Sequence, residues 1–281
     1  MIKSAKAPFI VILLFLFSVT PVVAQEHVHA SFFEEEGRYR EHSLDMISLD
    51  LVVDLDPSER RVNGQASYQC IPIQKEVDSA FFDAVDITID HILLDDDTLQ
   101  FTYVEGGVMI HFASSLDWHR SYRLTFEYTC QPAKGIYFVG WDDPSGRARK
   151  QIWTQGQGIN HRHWIPSFDD QNDKLITAVH VSFPSEYTVI GNGELQSKQE
   201  QGENTLWHYA MDQPHALYLL MLAIGEYDVL TMESTSHVQH EQYYYPDNPE
   251  TAEVTYRFSR EMMDWFEAVS YTHLTLPTSY A

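Results

Sequence analysis

The chain has 281 residues, of which 44% are hydrophobic and 13% aromatic, so it carries enough apolar material for a large core and too much for a disordered chain. Its 18 basic residues against 41 acidic ones give a formal charge of −23, which argues against DNA, RNA or an anionic membrane surface as partner, because each needs a basic footprint. Two cysteines, Cys70 and Cys130, are too few to build a disulfide scaffold and lack the C-x-x-C pairing of a structural zinc site; whether they join each other is left open.

The first residues read as an export signal. Lys3 and Lys6 precede an apolar run from Phe9 to Val19 broken only by Ser18, and Val22-Val23-Ala24 offers small residues where a signal peptidase cuts. Residues 1–24 are therefore expected to be removed before Gln25, and the protein to be periplasmic, secreted or held at the cell surface. The run is shorter than the roughly 20 residues of a spanning helix, which disfavours an anchor, with an uncleaved signal left open. Residues 25–43 are polar and charged (Glu34-Glu35-Glu36-Gly37-Arg38) and read as a flexible lead-in, in which His27 and His29 are merely solvated.

From Leu44 the chain becomes a series of short alternating runs. Ile47 to Leu55 has period-two apolarity and stops at Asp56-Pro57-Ser58. Val62 to Ile73, Ser79 to Phe82, Ile87 to Leu94, Val108 to Phe112 and Tyr122 to Cys130 repeat the pattern, with Asp-Asp, Gly-Gly and Pro-Ser turns between them. Further strands are expected at Ile176 to Phe183, Tyr187 to Ile190, Thr205 to Tyr209, Tyr218 to Ile224 and Val238 to Tyr245. No long helical pattern intervenes, so the fold class is mainly β, sandwich-like, rather than a doubly wound α/β sheet. The first convincing helix runs from Glu250 to Ala268, where Val254, Phe258, Met262 and Trp265-Phe266 recur at helical spacing. Beyond it, Val269 to Ser279 brings threonines and a proline where helix would continue, and residues 269–281 read as a non-native tail translated from sequencing adapter.

One stretch carries chemistry: Thr154-Gln155-Gly156-Gln157-Gly158-Ile159-Asn160-His161-Arg162-His163-Trp164-Ile165-Pro166, followed by Phe168-Asp169-Asp170-Gln171, Asn172-Asp173-Lys174-Leu175 and Gly191-Asn192-Gly193-Glu194-Leu195. With Lys134-Gly135-Ile136-Tyr137-Phe138 upstream, these residues resemble the amino-terminal β domain of the aminopeptidase-N family of zinc metallopeptidases. The resemblance covers most of residues 44–268, with Asp169-Asp170-Gln171 in place of the family's D-E-P and Gly191 where serine is common. It implies an aminopeptidase-like β domain over 44–235, the truncated start of a catalytic domain over 236–268, and a zinc site in the full-length enzyme that lies beyond this chain. The chain alone is then expected to bind no zinc and to be inactive, its missing catalytic domain being one partner and a peptide with a free amino terminus the other.

The resemblance also assigns a role to Gln157, the β-domain residue whose side-chain oxygen accepts a hydrogen bond from the substrate's free α-amine; an ammonium carries three donors, and a neutral amide holds it less strongly than a carboxylate would. Gln155, two residues away and on the same face if the segment is extended, is the second candidate. The bland reading of both is a polar turn. His161 and His163 would share one face of a strand but lack an evident acidic or cysteine partner, and aromatic packing of this segment with Trp164 is expected instead. His240-Glu241-Gln242-Tyr243-Tyr244 fails as H-E-x-x-H, because Tyr244 stands at the second histidine and the segment reads as a strand. No P-loop, nucleophile elbow or dinucleotide fingerprint is present. The rival readings are a non-catalytic module that binds glycans or proteins through Trp141 and Tyr243-Tyr244-Tyr245, and a zinc-free or epoxide-hydrolysing relative within the family.

Overall fold

A computed structural model describes residue 40 and residues 42–270. The export signal, nearly all of the lead-in and the tail from residue 271 lie outside the described residues. In chain order the strands are β1 (Leu44–Asp56), β2 (Arg61–Pro72), β3 (Val77–Asp83), β4 (Ile87–Leu94), β5 (Asp97–Thr98), β6 (Gln100–Val104), β7 (Gly107–Leu116), β8 (Tyr122–Cys130), β9 (Ile136–Val139) and β10 (Gln151–Thr154). A short 3-10 turn, His161–His163, precedes β11 (Lys174–Pro184), β12 (Thr188–Gly191), β13 (Glu194–Gln201), β14 (Asn204–Ala216), β15 (Leu222–Gly225), β16 (Asp228–Glu233) and β17 (Gln239–Tyr244). Two helices follow, α1 (Pro249–Tyr256) and α2 (Ser259–Ser270). No helix among the described residues is long and apolar enough to cross a membrane.

The expected mainly-β class is what the chain adopts. An eight-stranded sheet in the order β13-β14-β11-β1-β2-β8-β4-β5 is joined by a four-stranded sheet (β12-β15-β10-β9), a three-stranded sheet (β3-β7-β6) and the hairpin β16-β17. The period-two text explains the large sheet: in β1, Leu49, Leu51, Val53 and Leu55 are buried while Asp50, Val52 and Asp54 alternate outward. β1 pairs with β11 in parallel, Ser48 opposite Ile176 to Asp54 opposite Ser182, while its neighbour β2 runs antiparallel. That parallel pair makes the intervening chain a long crossover, in which the three-stranded sheet and strands β9 and β10 form, while β12, β15 and the β16-β17 hairpin follow β11. Tyr68, Phe82 and Phe126 meet in the core with ring centroids 4.9–6.1 Å apart.

Several local expectations shift. The strand expected over Tyr218 to Ile224 begins only at Leu222, because Leu217–Leu219 coils into a 3-10 turn. The single helix expected over Glu250 to Ala268 breaks after Tyr256 and resumes at Ser259, where two aromatics and a serine are weak helix-interior residues and the serine suits a helix start. The cysteines do not pair. Cys70 lies opposite Tyr122 and Cys130 opposite Val62, at the two ends of the β2–β8 ladder and so about 26 Å apart, far beyond disulfide reach. Burial pushes both thiols up to about 12, so neither is a reactive nucleophile.

Candidate functional site

The signature stretch leaves β10 and returns as β11. Its first residues prolong the β9–β10 ladder: Trp153 lies opposite Tyr137, Thr154 opposite Ile136, and the Gln155 amide donates to the Gly135 carbonyl at 2.8 Å. Ile152 is fully buried beneath the sheet, whereas Trp153 and Gln155 face outward, as alternation requires. Thr154 ties the strand to its other neighbour, its hydroxyl accepting from the Leu222 amide at 2.9 Å.

Gln155 and Gln157 are both exposed, and the side-chain Nε2 of Gln155 reaches the Gln157 Oε1 at 3.5 Å, the long limit of a hydrogen bond. The segment is not extended through Gln157. It turns at once, with Asn160 Nδ2 donating to the Gln157 carbonyl at 3.1 Å, so it is the turn that brings the two amides together. Gly156 makes the turn possible: a Cβ there would fall 2.1 Å from His161 Nε2 and 2.5 Å from the Tyr218 carbonyl oxygen. Gly135 has φ +85° and packs under the Asn160 carbonyl, where a Cβ would sit at 2.2 Å.

His161 is the pin of this loop. Its Nδ1 accepts from Trp164 Nε1 at 2.8 Å, which leaves Nε2 to carry the hydrogen and donate to the Leu220 carbonyl at 3.0 Å. Burial drives its pKa down to about 4, so the ring is neutral at pH 7. The expected packing with Trp164 is present, at 5.6 Å between centroids. The strand geometry expected for His161 and His163 is not: the 3-10 turn buries the first and leaves the second half-exposed.

Behind the loop lies a buried ionic cluster that sequence reasoning did not find. Asp83, at the end of β3, forms ion pairs with Arg40 at 2.9 Å and Arg162 at 3.1 Å, and accepts the Asp169 amide at 3.1 Å. The Arg162 pair is charge contact without an aligned N–H, since neither its Nη2 nor its Nε finds a hydrogen-bond partner among the described residues. Asp169 accepts the Arg162 amide at 3.0 Å, and Asp173 accepts the Met46 amide at 3.3 Å. Asp83 and Ser167 also exchange backbone bonds at 2.7 and 3.0 Å, which fastens the signature to β3. Burial raises Asp169 to about 7 against the pull of Arg162, and raises Asp173 to about 7 with help from Asp45. Arg162 and Asp169 stood in the signature, but their partners Arg40 and Asp83 are remote in sequence and carry no local motif.

No group of three or more His, Cys, Asp or Glu among the described residues is arranged to hold a metal ion. His161 has both ring nitrogens engaged, and His240 lies in β17 with Tyr244 four residues on. These residues do not fit a zinc site. Two aromatics of the rival reading are tied into the domain: Trp141 lies 5.4 Å from Tyr187 and donates to the Gln151 carbonyl at 3.1 Å, and the Tyr245 hydroxyl donates to the Gln151 side-chain oxygen at 2.6 Å.

The Peptidase M1 N-terminal domain family matches residues 40–219. Leucine aminopeptidase 2 of Candida glabrata is 21% identical over 217 residues, which is 75% of this chain and 32% of that protein. Aminopeptidase B of Rattus norvegicus is 27% identical over 129 residues, or 46% of this chain and 19% of the relative. An M1 zinc metallopeptidase of Deinococcus radiodurans, solved as a variant bound to a Tyr-Ser-Ala substrate, superposes with a TM-score of 0.61 at 16% identity, covering 73% of this chain and 48% of the other. The chain thus spans about a fifth to a third of the length of these curated relatives.

Proposed function

The chain belongs to the M1 peptidase family through its N-terminal domain, and from that premise we propose that it is the amine-recognising front part of an exported zinc aminopeptidase. In this reading the β domain extends to residue 235 and a catalytic domain starts at 236, with zinc held by residues of a longer form of the protein. The zinc would supply a water of lowered pKa and polarise the first peptide carbonyl. This chain's own part is positioning: Gln157, backed by Gln155, accepts a hydrogen bond from the substrate's α-ammonium and so sets which peptide bond is presented. The observation that carries the reading is that two exposed amides converge at the end of β10 on a loop otherwise fixed from below by His161, Gly135 and the Asp83 cluster.

The test is genetic and then kinetic. The locus is resequenced from the codon of Trp265 onward, and a frame that continues into G-x-M-E-N and H-E-x-x-H supports the reading. In the enzyme so encoded, Gln157→Ala should weaken use of an aminoacyl amide by about 10–100-fold, the value of a hydrogen bond to a charged group. Gln157→Glu should bind the amine more tightly. Equal activity of all three proteins would overturn the assignment of Gln157, and stoichiometric zinc or turnover in a purified 25–268 protein would overturn the division of labour.

A further inference from the structure

The start of β10, at the opposite end of that strand from Gln155 and Gln157, borders a cleft of about 420 Å³. The sheet ladders stop at Gln151, Gly225 and Thr188, which lie opposite one another, so the next residues outward, Lys150, Glu226 and Tyr187, gather at this end. The loop between β9 and β10 supplies the basic side of the cleft. In a chain with only 18 basic residues it places Arg147, Arg149 and Lys150 within four positions. Its backbone is fixed in advance: the Asp143 carboxylate accepts the Ser145 hydroxyl at 2.7 Å and the amides of Ser145, Arg147 and Ala148 at 2.7–2.9 Å, donors that draw its pKa down to about 2. Gly140, at φ +77°, lets the Arg149 carbonyl pack where a Cβ would be only 2.3 Å away. Arg149 is already neutralised, since its Nη2 meets both Asp247 oxygens at 2.7 and 2.9 Å and its guanidinium lies 4.3 Å from the Tyr245 ring centre. The other two cations are not. Lys150 has only the Trp141 ring, 5.4 Å away, and the Arg147 side chain has no partner among the described residues. The turns β11–β12 and β15–β16 complete the cleft with Glu186 and Glu226, and neither forms an ion pair with those cations. Both bear instead on the Tyr187 hydroxyl, which burial and then their negative charge raise to about 12, so that it stays a neutral donor.

We infer that this cleft binds a small zwitterion of dipeptide size, its carboxylate on Arg147 and Lys150 and its ammonium on Glu186 and Glu226. Two pairs of opposite charge that share a cleft without meeting leave each side unneutralised, so a ligand gains most by carrying both signs. A simple anion would meet the two glutamates, and a simple cation the arginine and lysine. Length favours a dipeptide, because two extended residues span about 7 Å and can bridge groups that lie beyond direct contact. The volume falls within the roughly 300–1,000 Å³ of small-molecule sites, and a loop fixed beforehand by Asp143 loses little freedom on binding. The inference stands independently of the role proposed for Gln157.

The test uses the chain as it stands. The backbone amides of residues 145–150 and the Trp141 indole N–H, which donates to the Gln151 carbonyl beside the cleft, are followed by 1H–15N spectroscopy. The ligands are alanylalanine, its N-acetyl form and its C-terminal amide, titrated at low salt. Alanylalanine should shift these signals, and each blocked form should bind about tenfold more weakly, the loss of one hydrogen-bonded charge. Added salt should weaken binding, because the groups involved are exposed. Arg147→Ala with Lys150→Ala, and separately Glu186→Gln with Glu226→Gln, should each weaken it by about tenfold or more and leave the melting temperature nearly unchanged, as surface substitutions do. Gln157→Ala should bind alanylalanine as the parent does. Signals of 145–150 unmoved by alanylalanine would overturn the inference. So would a blocked form that binds equally well, which would reduce the cleft to a site for one charge. Binding lost in Gln157→Ala but kept in both double variants would overturn it too, while supporting the amine role of Gln157.

Discussion

Buried titratable side chains give this domain its sharpest residue-scale expectations. Asp169 and Asp173 hold a proton up to about pH 7 when folded, against an ordinary value of 3.8, because burial penalises their charged forms. Between those values the folded state carries more protons than the unfolded one, so these two groups make stability fall as pH rises through about 7. His161 acts in the opposite sense, as its folded value of about 4 lies below the ordinary 6.5, and its contribution is present above 6.5 and lost as pH falls through about 4. Asp173→Asn keeps an acceptor for the Met46 amide and removes one proton site. The loss of melting temperature between pH 6 and 8 should therefore be shallower in the variant than in the parent, and parallel curves would refute the account. His161→Ala leaves both Trp164 Nε1 and the Leu220 carbonyl unpaired in a dry site, and should cost about 2–4 kcal/mol in denaturant unfolding.

At the scale of elements, the loop between β10 and β11 is held by close approach and by charge, and the two can be separated. Gly156→Ala places a methyl against a buried histidine ring and a carbonyl, neither of which can retreat. It should cost about 1–3 kcal/mol and displace Gln157, seen as altered shifts confined to residues 155–161. Asp83→Asn tests the charge. Removing one carboxylate strands Arg40 and Arg162 together beneath the loop, and the expected loss of about 3–5 kcal/mol is that of a broken buried pair, read from urea unfolding. A loss below about 1 kcal/mol would mean that backbone bonds, such as those between Asp83 and Ser167, hold the segment unaided. The pattern of β1 was legible in its own text, whereas β9 and β10 were too short to announce themselves and exist because they pair with each other and with β15.

For the molecule as a whole, the feature that asks for a partner is α2. Met262, Trp265 and Phe266 of α2, with Phe258 just before it, are each more than half exposed, a run of large apolar side chains with no cover among the described residues. The purified chain should associate with rising concentration and bind a hydrophobic dye, and Met262→Lys with Phe266→Glu should reduce both while leaving the melting temperature nearly unchanged. Association unaffected by the double substitution would place the sticky surface elsewhere. The strongly acidic remainder of the surface works against non-specific aggregation, so the association should sharpen with added salt as repulsion is screened.

The sequence by itself determined the mainly-β class, most strand positions and the loop that bears Gln155 and Gln157, because period-two alternation and turn residues act over a few neighbours. It also carried the family through a string of short motifs, and it placed Arg162 and Asp169 in view without their partners. Tertiary structure decided what depends on remote pairs. The register of β2 against β8 keeps Cys70 and Cys130 apart, Asp83 meets Arg162 across 79 positions of sequence, and the row Tyr137, Trp153, Ala223 and Ile190 is assembled from four strands. None of these leaves a local periodicity, since each is fixed by which strands become neighbours, and that choice belongs to the packing of the whole core.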